Sequence, residues 1–373
     1  MEFSMKDIYR ASIEHASNGR NTVMYDKNGY PSIMVCIPRY DLHALGRTDL
    51  GTGIHPAFNV DGKIVNEIWI GKYQTSYLGN VPVSLQGKSI VYGKSHQVLQ
   101  EDALNKGTGW HTITASEWAA IMLLCWINPV TKIHGNLGNI NGLPRDPRFP
   151  NEIGGEYDAD VGDYGMKFIK TGTGPASYSH DNTPFGVYDL IGNAWEYVSG
   201  VNIHNGGTVI WTGDEDGNYI NRPFLKNVNM LDKKFDDGAR KRICEDGWVY
   251  THTWLGIDKF AGNFSLNSSN NMSTITGQNS VYGTLDGISN RCSGEAKQYL
   301  RTLKLIGVIP PDGARTGVRG QVEHSVAGYR SLVRGFRNGD NADYYSNAFG
   351  WGAPLTPGVC YTSRLAWVSP DKI

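Results

Sequence analysis

Apolar and polar positions alternate along Asn66-Glu-Ile-Trp-Ile-Gly-Lys-Tyr-Gln-Thr75, which predicts a strand with one buried face. Ser32-Ile-Met-Val-Cys-Ile-Pro38 is an unbroken apolar run stopped by proline and predicts a buried strand. Helical spacing predicts helices over Lys6 to Ala16 and over Gln97 to Asn105, the second ending at Gly107. Thr114-Ala-Ser-Glu117 has the form of a capping box. It opens an apolar run from Trp118 to Ile127 that Pro129 closes. Trp118, Ile121, Met122 and Cys125 recur at spacings of three and four, the pattern of a core-facing helix. Further on, Tyr188 to Ile191 predicts a tight turn, and Gly192-Asn193 is a pair that tolerates left-handed backbone angles. Ala194-Trp-Glu-Tyr-Val198 then reads as a strand with two aromatics on one face. Ser293-Gly-Glu-Ala296 starts another amphipathic helix, with Ala296, Tyr299, Leu300 and Leu303 inward, ended by Gly307 and Pro310-Pro311. Ser331 to Trp367 predicts two or three closing strands carrying exposed loops.

Between these elements lie turn-rich stretches: Asn136 to Gly142, Thr171 to Pro175, and Asp214 to Asn218, which reads as a hairpin tip. Asn267 to Asn290 is rich in Asn, Ser, Thr and Gly, as surface insertions are. The expected organisation is an N-terminal adaptor segment over 1–50 and one domain over 51–373, interrupted by a polar insertion at about 200–292. Composition narrows the class further. With 46 glycines in 373 residues, a loop-rich α+β fold suits the chain better than a helical bundle. A formal net charge of −1 without a basic block argues against nucleic acid as a partner. No apolar run approaches the roughly 20 residues of a membrane span, so no membrane insertion is expected. Cys36, Cys125, Cys244, Cys292 and Cys360 form no paired framework and read as scattered thiols.

Candidate chemistry is sparse. The ten histidines make none of the spacings that build a local zinc or iron site. There is no phosphate-binding loop and no nucleophile elbow. Glu152, Glu156, Asp158, Asp160 and Asp163 cluster in sequence, but their spacing matches no calcium loop and reads as a solvated acidic loop.

Gly186-Val-Tyr-Asp-Leu-Ile-Gly-Asn-Ala-Trp-Glu-Tyr197 resembles the G-x-Y-D-x-x-G-N-x-W-E-W signature of the formylglycine-generating enzyme (sulfatase-modifying factor) superfamily. The strand around Ile70-Gly-Lys-Tyr73 resembles that superfamily's opening strand, with Gln74 where an acid usually stands. The resemblance implies a C-type-lectin-like fold. It also implies a structural Ca2+ near Asn193 and Glu196, against the alternative that these two residues form a buried hydrogen-bonded pair pinning the turn, with Trp195 in the core. The superfamily's oxidases hold copper between two cysteines of the closing segment, just after an R-G-G-S-like strand. Arg334-Gly335 matches that strand, yet no cysteine follows until Cys360. A two-thiolate copper site needs both ligands, so no catalytic residue and no required cofactor are expected.

Arg334-Gly335, Asn338-Gly-Asp-Asn-Ala342, Ala353-Pro354 and Arg364 resemble the variable region of diversity-generating retroelement proteins. Trp110-His111, Ser116-Glu-Trp-Ala-Ala120 and Ser179-His-Asp-Asn-Thr-Pro184 extend the likeness over roughly residues 55–370 and toward the phage-borne members. Asp343 and Tyr361-Thr-Ser363 depart from the family phrase. The resemblance implies a variable region over 334–367 in a receptor-binding protein at the tip of a tail fibre. Its ligand would be a bacterial surface protein or glycan, its neighbours other virion tail proteins, and its assembly a homotrimer. The alternatives are a metal-dependent oxidase of the formylglycine-generating type, or an unvaried bacterial surface lectin, in the bacterial cytoplasm or at the cell surface. In that family the mutated adenines lie chiefly in AAC or AAT codons, which cannot become Lys, Glu, Gln, Met or Trp codons. From Phe336 to Leu365 only Trp351 breaks this rule. The expected ligand-binding set is Phe336, Arg337, Asp340, Asn341, Asp343, Tyr345, Asn347, Phe349, Trp351, Leu355, Val359 and Tyr361. Large aromatics among small and polar residues give contact area at low rotamer cost, and about half of the large groups are expected to be buried.

Overall fold

The computed structural model describes residues 4–46, 50–127, 133–161, 166–204, 208–214, 218–226, 247–250, 256–260, 263–267, 289–291, 322–323, 330–335, 349–352 and 361–372. Among the described residues three α-helices, α1 (Met5–Ala16), α2 (His96–Leu104) and α3 (Ala115–Ile127), accompany a larger number of strands. The N-terminal strands are β1 (Asn21–Tyr25), β2 (Pro31–Pro38), β3 (Asn59–Val60), β4 (Lys63–Ile64), β5 (Glu67–Gly71), β6 (Ser76–Leu78), β7 (Val81–Val83) and β8 (Trp110–Thr112). A short hairpin follows, β9 (Gly138–Ile140) with β10 (Leu143–Arg145). Next come β11 (Trp195–His204), β12 (Thr208–Thr212), β13 (Trp248–Tyr250), β14 (Gly256–Phe260), β15 (Asn263–Asn267) and β16 (Ser289–Arg291). The last are β17 (Val322–Glu323), β18 (Arg330–Arg334), β19 (Phe349–Gly352), β20 (Tyr361–Thr362) and β21 (Leu365–Trp367). The molecule is thus mixed, rich in strand, poor in helix and rich in loops.

Local chemistry sets the helix starts. Ser4 caps α1, accepting from Asp7 N while the Asp7 side chain accepts from Ser4 N. At α3 the box expected at Thr114 forms: Thr114 N donates to Glu117 Oε2 at 2.9 Å and Glu117 N to Thr114 Oγ1 at 3.2 Å. Glu117 is more than a cap, because it is buried and also meets His111 Nε2 at 3.0 Å and Asn221 Nδ2 at 3.2 Å. Residues Trp118 through Leu123 are all buried, so α3 is enclosed on every side rather than on one stripe.

Two sheets carry the architecture. The first has the order β1-β2-β5-β21-β8, so β21 lies between two N-terminal strands and pairs antiparallel with both. Its inner face presents Val35, Ile37, Ile68, Ile70 and Ala366 to the main core, with Trp118, Ile121, Met122, Val198 and Leu332 across from them. Burying such a face supplies most of the stability of a half-exposed sheet. The second sheet runs β16-β15-β14-β12-β11-β18-β19-β17, with β13 also on β12 and β20 also on β11. Its central pair is buried on both faces: Val198 and Leu332 enter the main core, whereas Trp195, Tyr197 and Val333 enter a second cluster with Phe168 and Leu99.

The stretch read as a polar insertion from about 200 carries core positions here, since Val201, Ile210, Trp211, Tyr219, Asn221 and Trp248 are buried. A two-sided sheet explains this: polar neighbours such as Asn202 and Thr212 sit inside it as well. The helix expected at Ser293 to Leu303 and most of Asn267 to Asn290 lie outside the described residues. No helix among the described residues is long and apolar enough to cross a membrane.

Candidate functional site

The turn over residues 188–193 is the hub beneath the C-terminal segment. Asp189, Gly192 and Asn193 take positive φ values of 56°, 83° and 65°, which reverse the chain tightly enough to aim the Asp189 and Asn193 side chains inward. Gly192 N donates to Gly335 O at 2.7 Å, fastening the turn to the end of β18. Asn193 is fully engaged. Its Oδ1 accepts from Ile169 N at 2.8 Å and Asn136 Nδ2 at 3.1 Å. Its Nδ2 donates to Gln74 Oε1 at 2.9 Å and Ile169 O at 3.1 Å.

Asn193 and Glu196 do not bond each other directly, contrary to the expected pair. Gln74 joins them: it accepts from Asn193 and donates through Nε2 to Glu196 Oε1 at 3.1 Å. The counter-charge of Glu196 is Arg364, whose Nε reaches Oε2 at 3.0 Å and whose Nη2 reaches Oε1 at 2.5 Å. Arg364 Nη1 and Nη2 also donate to Gly71 O at 3.0 Å and Tyr188 O at 2.8 Å. Both charged side chains are completely buried. The forked pair is the geometry in which guanidinium and carboxylate interact most strongly. An amide at position 74 fits this hub where an acid would crowd Glu196 with like charge. The same bonds bear on Ca2+ at Asn193 and Glu196. Glu196 is neutralised by a guanidinium, and Asn193 Oδ1 accepts two N–H groups, so this donor set does not fit a divalent cation as arranged.

Asp189 contributes a buried acid to the hub. Its Oδ1 has no hydrogen-bond partner among the described residues. Burial pushes the carboxyl up to about 7, with the Arg364 charge pulling the other way. Between an unfolded value near 3.9 and about 7, the folded state therefore retains a proton that the unfolded chain releases. Stability contributed by the neutral acid is present at low pH and is lost as pH rises through that window. Asp189→Asn keeps a residue that accepts positive φ and removes the titration. It is expected to raise stability at pH 8 by on the order of 4 kcal/mol, with the gap to the parent closing toward pH 4. Thermal unfolding at pH 4, 6 and 8 checks this; parallel curves for the two proteins would refute it.

A ladder of rings adjoins the hub. His96 stacks on Tyr197 with centroids 4.7 Å apart, and Tyr197 on Tyr361 at 5.2 Å. Burial holds His96 down to about 3, so it stacks as a neutral ring. The ladder seats β20, which runs parallel to β11 with Tyr361 opposite Trp195. On the other side of β11, β18 is locked by Leu332 and by Arg334, whose guanidinium lies 4.8 Å from the Trp118 ring centre. β19 then pairs antiparallel with β18, Phe349 opposite Arg334 and Trp351 opposite Leu332.

Of the expected binding residues, Phe349 and Trp351 lie in β19 and half-buried Tyr361 in β20. Phe336, Arg337, Asp340, Asn341, Asp343, Tyr345, Asn347, Leu355 and Val359 lie outside the described residues. Trp195 is buried in the second core cluster, as expected for a scaffold residue. The acidic cluster is not uniformly solvated: Asp158 is buried and accepts from Ser89 at 3.0 Å, and Glu152 bonds His134 at 2.7 Å and Ser177 at 2.5 Å. Those acids diverge to separate partners. No group of three or more His, Cys, Asp or Glu able to hold a metal ion occurs among the described residues.

No family model matches the chain, and no curated protein matches it. Among solved structures, the chain is similar to PvdO from Pseudomonas aeruginosa, with a TM-score of 0.37 and 13% identity. That likeness covers 93% of this chain and 98% of the other.

Proposed function

We propose that this is a non-enzymatic binding protein on a C-type-lectin-like scaffold, displaying a diversifiable surface built from residues 336–361 for phage recognition of a bacterial surface. The observation that carries the reading is how the segment is tethered. Its described flanks are fixed to the scaffold, Gly335 by the Gly192 bond and Tyr361 by the ring ladder. Between them it crosses β18 in fixed register at Phe349–Gly352. Fixed flanks of this kind are what a scaffold needs if the side chains between them are to change without unfolding it. Trp351, the one departure from the codon rule, lies in β19 and on this reading is an unvaried template residue. The closing segment also lacks the cysteine pair that copper chemistry would need.

The DNA just downstream of the gene tests the diversification directly. A near-copy of the last hundred or so bases, differing at adenines and accompanied by a reverse transcriptase gene, is the expected result. Absence of both would refute that part of the proposal. The non-enzymatic part is tested by incubating the protein and copper with a sulfatase-motif peptide and weighing the peptide; conversion of its cysteine to formylglycine would overturn it. Stability should separate tether from display. Tyr361→Ala is expected to cost about 1–2 kcal/mol by opening the ring ladder. Arg337→Ser or Asn341→Ser should change stability by less than about 0.5 kcal/mol. Denaturant titrations of the three variants check this, and equal losses would contradict the division.

A further inference from the structure

The outer face of the five-stranded sheet repeats one residue across three neighbouring strands. Trp69 of β5 pairs with Trp367 of β21, which pairs with Trp110 of β8. Residues in register share a face, so the three indoles form a row. With strands about 4.8 Å apart, the row spans roughly 10 Å. The inner face below it is closed by the main core, which leaves the row on the opposite side. Trp110 is buried, whereas Trp69 and Trp367 are half-buried and line an open groove of about 540 Å3. The indole edges are fixed by the protein: Trp69 Nε1 donates to Glu67 Oε1 and Trp367 Nε1 to Thr108 O, both at 3.3 Å.

The rim is polar and of mixed charge. Arg10 and Glu14 come from α1, which lies along edge strand β1, and Glu67 comes from β5 beside the row. Arg10 Nε holds the Val23 carbonyl at 3.0 Å, and Glu14 Oε1 accepts from Thr22 Oγ1 at 2.5 Å, so both side chains have set positions. One guanidinium and two carboxylates give no single sign for a charged ligand to follow. They do match a neutral ligand dense in hydroxyl groups, because carboxylates accept and guanidinium donates in the same groove. An indole row complements a ring whose C–H bonds project to one side, since the aromatic face is electron-rich. Apolar walls with a few placed polar groups are the usual make-up of a small-ligand site.

We propose that this groove binds a neutral pyranose oligosaccharide, two rings of which lie along the tryptophan row. None of the described residues that line the groove belongs to 336–361, so the sugar site is proposed separately from the display surface. The probes are maltotriose, cellotriose and triacetylchitotriose, each titrated into the full chain with tryptophan fluorescence and saturation-transfer NMR as readouts. Saturable binding of at least one is expected. Trp69→Ala should weaken it at least tenfold and Glu14→Gln several-fold. Trp69→Phe, which keeps an aromatic face, should retain part of the affinity and guards against misfolding of the alanine variant. Arg337→Ser should leave binding unchanged. Failure of all three sugars would overturn the proposal, as would binding indifferent to Trp69 and Glu14. Preference for a proline-rich decapeptide over every sugar would assign the groove to a peptide instead. Loss of sugar binding in Arg337→Ser would move the site to the C-terminal segment, and that too would overturn it.

Discussion

Arg364→Met is expected to lower the stability of the chain by about 3–5 kcal/mol, because it leaves the Glu196 carboxylate buried without a counter-charge. The size follows from desolvation. Glu196 and Arg364 are both completely buried and joined at 2.5 and 3.0 Å, so neither charge can recover water when its partner is removed. The same substitution strips donors from Gly71 O and Tyr188 O, which adds unsatisfied carbonyls in the hub. Adding Glu196→Gln to Arg364→Met should restore a substantial part of the loss, since the orphaned charge is gone while Gln74 can still bond position 196. Chemical denaturation of the two single variants and the double variant forms the cycle that checks this. Additive losses would mean that the pair does not act as a unit.

Gly192→Ala should be comparably severe, at about 3–5 kcal/mol. Two causes combine. The backbone at 192 is left-handed, which alone costs a residue with a Cβ roughly 1–2 kcal/mol. A Cβ there would also stand 2.7 Å from Asn136 N and 2.8 Å from Asn136 O, atoms that cannot rotate away. Gly46→Ala is the control: its φ is 69°, but nothing lies within 4 Å of the added carbon, so it should show the strain alone. Equal effects at the two positions would show that the contact with Asn136 yields freely.

Much of this hub is legible locally, and the rest is not, for a reason of distance along the chain. The positive-φ pair Gly192-Asn193, the Thr114 capping box and the proline-stopped strand at Pro38 each leave a signal within a few residues, because their causes are local sterics and hydrogen bonds. The partner of Glu196 lies 168 residues away and that of Asn193 119 residues away. No periodicity reports such a bond. Two clues were present, Gln74 in place of an acid and the arginine retained at 364, but each gains meaning only beside the other. The core role of Val201, Ile210, Trp211 and Tyr219 was hidden differently. A strand buried on both faces need not alternate, and Asn202, Thr212 and Asn221 gave it the look of a surface stretch. The tryptophan row was equally invisible, since Trp69, Trp110 and Trp367 become neighbours only through strand order.

That strand order has a consequence for synthesis. β21 fills the gap between β5 and β8, so the N-terminal sheet stays split until Leu365–Trp367 have been synthesised. Long-range pairings of this kind form late, after the loop-closure cost has been met. A stop codon or frameshift anywhere in residues 336–361 would therefore remove the strand that closes the N-terminal sheet. Truncated products should fail to fold and be cleared by proteases. Any diversity written into that segment would be screened for an intact reading frame by folding itself.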